Sequence, residues 1–181
     1  IDIFKQEKTP DIYRVFAMGG SSAAGYPYGF NGTYSRVVKD ILQDRMPDKP
    51  VEVVNVGISA ISSYTLYDQV AEILQQKPDA ILIYAGHNEF YGALGVGSNE
   101  NLGGFPWFVR GYLKLQQYKT FLLLRNTIVG AGKWTTSLFG AQEIDPNATL
   151  MERIINSRSI ALDGPKHQLA IHQFDSNLSA I

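Results

Sequence analysis

Three short apolar runs punctuate the first part of the chain. Tyr13 to Met18 (YRVFAM), Val51 to Val56 (VEVVNV) and Ala80 to Ala85 (AILIYA) each read as a buried strand, and each is closed by glycine, at Gly19-Gly20, Gly57 and Gly86. Two stretches with helical spacing lie between them. Asn31 or Thr33 caps the first, which carries Val37, Val38, Ile41 and Leu42 as an apolar stripe and ends at Pro47 and Pro50. Ser62 or Ser63 starts the second, with Leu66, Val70, Ile73 and Leu74 on one face and Pro78 as its stop. Strands apolar on both faces and joined by helices form a parallel sheet covered on both sides. Ligands of such sheets bind beyond the carboxyl ends of the strands. Here all three ends carry glycine and small polar residues: Gly20-Ser21-Ser22, Asn55-Val56-Gly57 and Gly86-His87-Asn88.

The rhythm breaks after residue 92. Gly95 to Gly104 is a polar, Gly-rich loop. Pro106 to Leu124 is aromatic and aliphatic and predicts a helix, which Gly130 and Gly132 interrupt, and Asn147 or Thr149 caps another helix through Ile155. This predicts a helical insertion over 93–160, lying across the sheet of a first domain at 1–92. From His167 onward, Leu169, Ile171, Phe174, Leu178 and Ile181 again fall at helical spacing, so 161–181 resumes the first domain. There is no internal repeat and no low-complexity tract.

Composition narrows the possibilities. With 181 residues, 45% apolar and 18% charged, the chain suits one α/β domain with a sizeable core. A formal net charge of −1 offers no basic excess for a phosphate backbone, so nucleic acid is not an expected partner. The absence of cysteine excludes disulfides and thiolate chemistry. No His, Asp or Glu cluster has metal-ligand spacing, so neither metal nor cofactor is expected. No run reaches the ~18 consecutive apolar residues of a membrane span. The chain starts at Ile1 instead of Met, which leads us to expect a removed upstream segment and leaves the compartment open.

The strand ends also suggest chemistry. A serine hydrolase must deprotonate a weakly acidic hydroxyl and stabilise the oxyanion formed on attack. Ser21 sits on a strand-to-helix turn among Gly19, Gly20 and Gly25, which exposes Oγ and turns backbone N–H groups toward the same space. Gly57 offers another unobstructed N–H, and Asn88 a neutral amide donor. Each has a plainer reading. Ser21 can cap a helix, Gly57 can permit a tight turn, and Asn88 can close an Asx-turn. His87, Ser22 and Glu89 flank the same place as candidate substrate contacts, although Glu89 equally suits a capping or ion-pairing role.

Taken together, the segments VFAMGGSSAAG, VVNVGIS and ILIYAGHNEF resemble three blocks of the SGNH (GDSL-type) hydrolase family, with GGS in place of GDS in the first. That resemblance covers about residues 13 to 92. It implies a flavodoxin-like three-layer α/β/α sandwich and hydrolysis of an O-acyl ester of a small molecule or carbohydrate. It further implies Ser21 as nucleophile and first oxyanion donor, with Gly57 and Asn88 as the other two donors. By family analogy it leans toward an extracytoplasmic or membrane-associated location.

The family takes its base from a late D-x-x-H block, and no Asp in this chain has His three positions later. Asp163 and His167 come nearest and have the wrong spacing. With about three strands readable where the family has about five, the chain is expected to be the N-terminal part of a catalytic domain. A companion segment or partner chain would then complete the sheet and supply the base. Two rival expectations are a catalytically incomplete binding or assembly module and a flavodoxin-like nucleotide binder. The latter is the weaker, since neither a P-loop nor G-x-G-x-x-G is present.

Overall fold

β1 (Tyr13–Gly19) is the middle strand of a three-stranded parallel sheet. It pairs with β2 (Val51–Asn55) on one side and β3 (Ala80–Tyr84) on the other. This computed structural model describes residues 4–98, 105–137 and 159–181. Val15 lies opposite both Val53 and Ala80, and Ala17 opposite both Asn55 and Leu82. Side chains alternate across the sheet, so β1 feeds two cores. Phe16 and Met18 meet Leu66, Val70 and Ile73 of α3 (Ser63–Gln75). Val15 and Ala17 meet Tyr34, Val38 and Leu42 of α2 (Tyr34–Arg45) on the other face. The result is the expected three-layer α/β/α arrangement.

The apolar stripe of α2 is narrower than its sequence suggests. Val37 and Ile41 are 57% and 55% exposed. The helix lies over β2, at the edge of the sheet, so the line 34, 38, 42 faces the strands while its flank looks past them. On α3, Leu74 is likewise exposed. The outer edge of β3 has no strand partner among the described residues, and Tyr84 at its end is half exposed.

At the opposite end of the strands from their glycines, a cation is sealed inside. Arg14 is 0% exposed. Its Nε donates to Glu52 Oε2 at 2.8 Å, Nη1 to the Gln76 carbonyl at 2.8 Å and Nη2 to the Lys5 carbonyl at 2.7 Å. Its guanidinium also stacks over Phe4. A planar fork with several donors can close all these bonds at once. Asp79 accepts the Arg14 N–H at 2.7 Å and pairs with Lys8 at 2.6 Å, which holds its carboxyl below the usual range.

Beyond the sheet, α4 (Asn88–Tyr91) follows β3 directly. The helix expected over 106–124 is two helices, α5 (Pro106–Gln116) and α6 (Lys119–Ser137). α5 ends by tightening, with Gln117 N–H donating to Lys114 O and Tyr118 N–H to Leu115 O. α6 then runs through Gly130 and Gly132, which do not interrupt it. A helix-interior glycine costs only about 1 kcal/mol, less than ending a long helix. α5 packs against α3, against α6 and against α7 (Pro165–Ala180). The helix expected at 147–155 falls outside the described residues.

Breaking a buried charge pair from one side is costly. Arg14→Ala should lower stability by about 3–5 kcal/mol in denaturant titration, with Arg14→Lys falling between it and wild type.

Candidate active site

The three glycine-ended strands finish side by side because β1 lies between β2 and β3. Ser21 is the first residue of α1 (Ser21–Ala24), directly after β1, and is partly exposed. As the first helical residue its N–H has no acceptor within the helix. Its carbonyl accepts the N–H of Gly25 at 3.0 Å and of Tyr26 at 2.9 Å, which closes the turn. No side chain among the described residues hydrogen-bonds Ser21 Oγ.

Gly20 packs against the residues that follow β3. A Cβ at position 20 would stand 2.6 Å from Asn88 Nδ2 and 3.2 Å from His87 Nε2. Any side chain at 20 would therefore displace the Asn88 amide. Gly92 closes in from behind, where a Cβ would come within 2.7 Å of Asn88 Cβ. Asn88 is 7% exposed, and its Nδ2 is buried with no hydrogen-bond partner among the described residues. An unpaired buried donor costs about 1–3 kcal/mol, and a native structure that keeps one usually has a use for it. The carboxamide of position 88 thus abuts the residue next to Ser21.

Gly57 departs from the role expected of it. Its N–H donates to Asn55 Oδ1 at 2.9 Å and so is already engaged. The cause is strand alternation. Val56 N–H donates to Ala17 O and Ile58 N–H to Gly19 O, so the intervening N–H points away from β1, where the Asn55 side chain meets it. What Gly57 supplies is proximity, since a Cβ there would lie 2.6 Å from Ala24 N. Asn55 also donates to Ala23 O at 2.7 Å and Ser35 Oγ at 3.1 Å, tying β2 to α1 and α2. Sequence reasoning gave Asn55 no role, and its place beside Gly57 at a strand end was the available signal.

Glu89 takes the capping role that its sequence position also suited. It is 4% exposed. Its Oε1 accepts the Ser63 N–H at 2.7 Å and its Oε2 accepts the Ser63 hydroxyl at 2.8 Å, at the N-terminus of α3. Asn177 of α7 donates to Ser63 Oγ at 2.9 Å, and Arg110 of α5 donates to Asn177 Oδ1 at 3.1 Å and to the Ser176 carbonyl at 2.7 Å. One buried polar line therefore joins α4, α3, α7 and α5. Burial raises the Glu89 pKa, and the two Ser63 bonds oppose the rise.

Ser22 and His87 are exposed, and the His87 ring leans on Tyr84 with centroids 6.2 Å apart. His167 stacks on Phe90 at 5.5 Å, with Nδ1 3.9 Å from Asp163 Oδ1, and His172 is exposed on α7. None of the three imidazoles hydrogen-bonds Ser21. Among the described residues no group of His, Asp or Glu is placed to hold a metal ion.

No family model and no curated protein matches the chain. It is similar to solved hydrolases of the GDSL and SGNH kind. A structure assigned to the G-D-S-L lipolytic family from Desulfitobacterium hafniense DCB-2 is 20% identical, covering 66% of this chain and 54% of its own at a TM-score of 0.37. The SGNH-hydrolase family esterase AlinE4 is 21% identical over 62% of this chain and 57% of its own, also at 0.37. A gut microbial diltiazem-metabolizing enzyme is 16% identical over 99% of this chain and 36% of its own, at 0.38. The chain spans about half the length of the first two.

A carboxyl whose pKa is raised by folding holds its proton to higher pH in the folded state. The stability this contributes is complete below the ordinary value of 4.5 and is lost as pH rises through the folded value. Melting temperatures measured across that window should therefore fall less steeply with pH for Glu89→Gln than for wild type.

Proposed function

We propose that this chain carries the nucleophile and the principal oxyanion donor of a serine esterase acting on an acyl ester of a small molecule or carbohydrate. In this reading Ser21 Oγ attacks the ester carbonyl carbon. Its proton passes to an imidazole base contributed from outside residues 1–181. The carbonyl oxygen, now negative, is held by the Ser21 N–H and Asn88 Nδ2. Collapse of the tetrahedral intermediate breaks the bond to the alcohol, which leaves with the proton from the imidazolium. Water, deprotonated by the same base, then cleaves the acyl-serine and restores Ser21. Gly57 shapes the floor with its bare Cα while its N–H stays with Asn55.

The observation that supports this reading is the buried Asn88 amide, without a partner among the described residues and set against Gly20, one residue from a partly exposed serine at a helix start. A site for a neutral ligand would gain little from holding such a donor empty. A site for a developing anion gains from a donor that needs no reorganisation when charge appears.

A second reading, a binding or assembly module on the same frame, is favoured by one observation: no histidine meets Ser21. The two readings part on reactivity. With the protein as its gene encodes it, a fluorophosphonate should label Ser21 stoichiometrically, as read by peptide mass spectrometry, and Ser21→Ala should abolish labelling. A folded protein that stays unlabelled would leave the module reading. Asn88→Ala should lower kcat on acetyl esters by about 10²–10³-fold, with KM changed far less, because the amide acts on charge formed in the transition state.

A further inference from the structure

The helical pair α5–α6 differs from the rest of the molecule in both charge and surface. Residues 105–137 carry five of the chain's sixteen Lys and Arg and none of its seventeen Asp and Glu. Eight of the eighteen exposed large apolar side chains among the described residues fall between 105 and 128. They include Trp107 at 72%, Leu123 at 71%, Ile128 at 63% and Leu124 at 59% exposure.

This surface has an orientation. Val109 is 1% exposed, and Arg110 is bound to Asn177 and Ser176 and stacked on Tyr67, so that side of α5 is fixed against α3 and α7. Helical spacing then turns Trp107, Phe108 and Leu115 outward together, with Gly111 and Lys114 on the flank that borders Asp68 of α3. A surface helix normally turns such a stripe inward. Tyr112 meets Phe121 of α6 edge-on at 5.7 Å, and beside this contact lies an open apolar hollow of about 380 Å³ lined by Trp107, Phe108, Leu115 and Phe121. Of the remaining described cations on the two helices, Lys114 and Lys119 are exposed and Arg125 partly so.

Two helices that carry exposed aromatic and aliphatic groups and cations but no carboxylate of their own match a membrane surface, where rings enter the headgroup region and cations meet anionic lipid. No helix of the described residues is long and apolar enough to cross a bilayer. Pairing this face with the same face of a second copy would set Lys114, Lys119 and Arg125 against their own kind. We propose that α5–α6 docks the protein on anionic lipid bilayers, lying in the interface.

Co-sedimentation of the full chain with vesicles tests this. Equimolar phosphatidylcholine and phosphatidylglycerol vesicles should carry the protein down and pure phosphatidylcholine should not, and raising salt should release it. The paired change Lys114→Gln and Lys119→Gln, on exposed side chains, should weaken partitioning about five-fold for each charge removed. Leu123→Asp with Leu124→Asp should reduce it more than ten-fold, with circular dichroism unchanged. Three results would each overturn the proposal: no sedimentation of the wild type, equal binding to both vesicle types, or variants that bind like wild type. A concentration-dependent dimer that the Leu123/Leu124 variant loses would assign the face to a second copy instead.

Discussion

Burying the carboxylate of Glu89 is the constraint around which the site end of the molecule is arranged. A charge removed from water must be fully hydrogen-bonded, or the loss exceeds what a small domain can tolerate. Glu89 meets that condition by taking both the amide and the hydroxyl of Ser63, and so α3 begins where α4 begins. The requirement then passes outward. The Ser63 hydroxyl, having donated, accepts from Asn177, and the Asn177 oxygen accepts from Arg110. Four helices distant in sequence share one chain of bonds. Asn88, the neighbour of Glu89, inherits its position from this anchor.

The two ends of the sheet solve different problems. At the start of the strands, Arg14 spreads its guanidinium over Glu52, Gln76 and Lys5 and so ties β1 to β2 and to the end of α3. At the finish, glycines let three chain reversals approach within van der Waals contact, and a buried amide has no partner among the described residues. One end ties a buried cation to three acceptors, and the other leaves a buried amide donor without a partner among the described residues. Local conflicts of this kind are expected at functional sites and rare elsewhere.

Much of this was legible in the sequence. Three apolar runs closed by glycine marked the strands, because a strand buried on both faces has to be apolar throughout, and Thr33, Ser62 and the prolines marked the limits of α2 and α3. The site was legible as far as three strand ends converge. What was hidden depends on partners remote in sequence. Arg14 lies within an otherwise apolar strand, and its acceptors sit on β2, after α3 and before β1. The capping by Glu89 joins residues 26 positions apart, and the bond from Asn177 to Ser63 spans 114. Neither leaves a periodic trace. The engagement of Gly57 was missed for a different reason: glycine's lack of a side chain says nothing about which way its hydrogen points.

That hydrogen has an owner before any ligand arrives. A neutral carbonyl oxygen entering beside β2 would meet a rival of its own kind in Asn55, and two equal acceptors share a proton without much gain. An oxygen bearing full negative charge is a stronger acceptor, since charge-assisted hydrogen bonds are about twice as strong as neutral ones. With the Gly57 N–H held by Asn55, the donor left for such an oxygen is the Asn88 amide, which has no partner among the described residues.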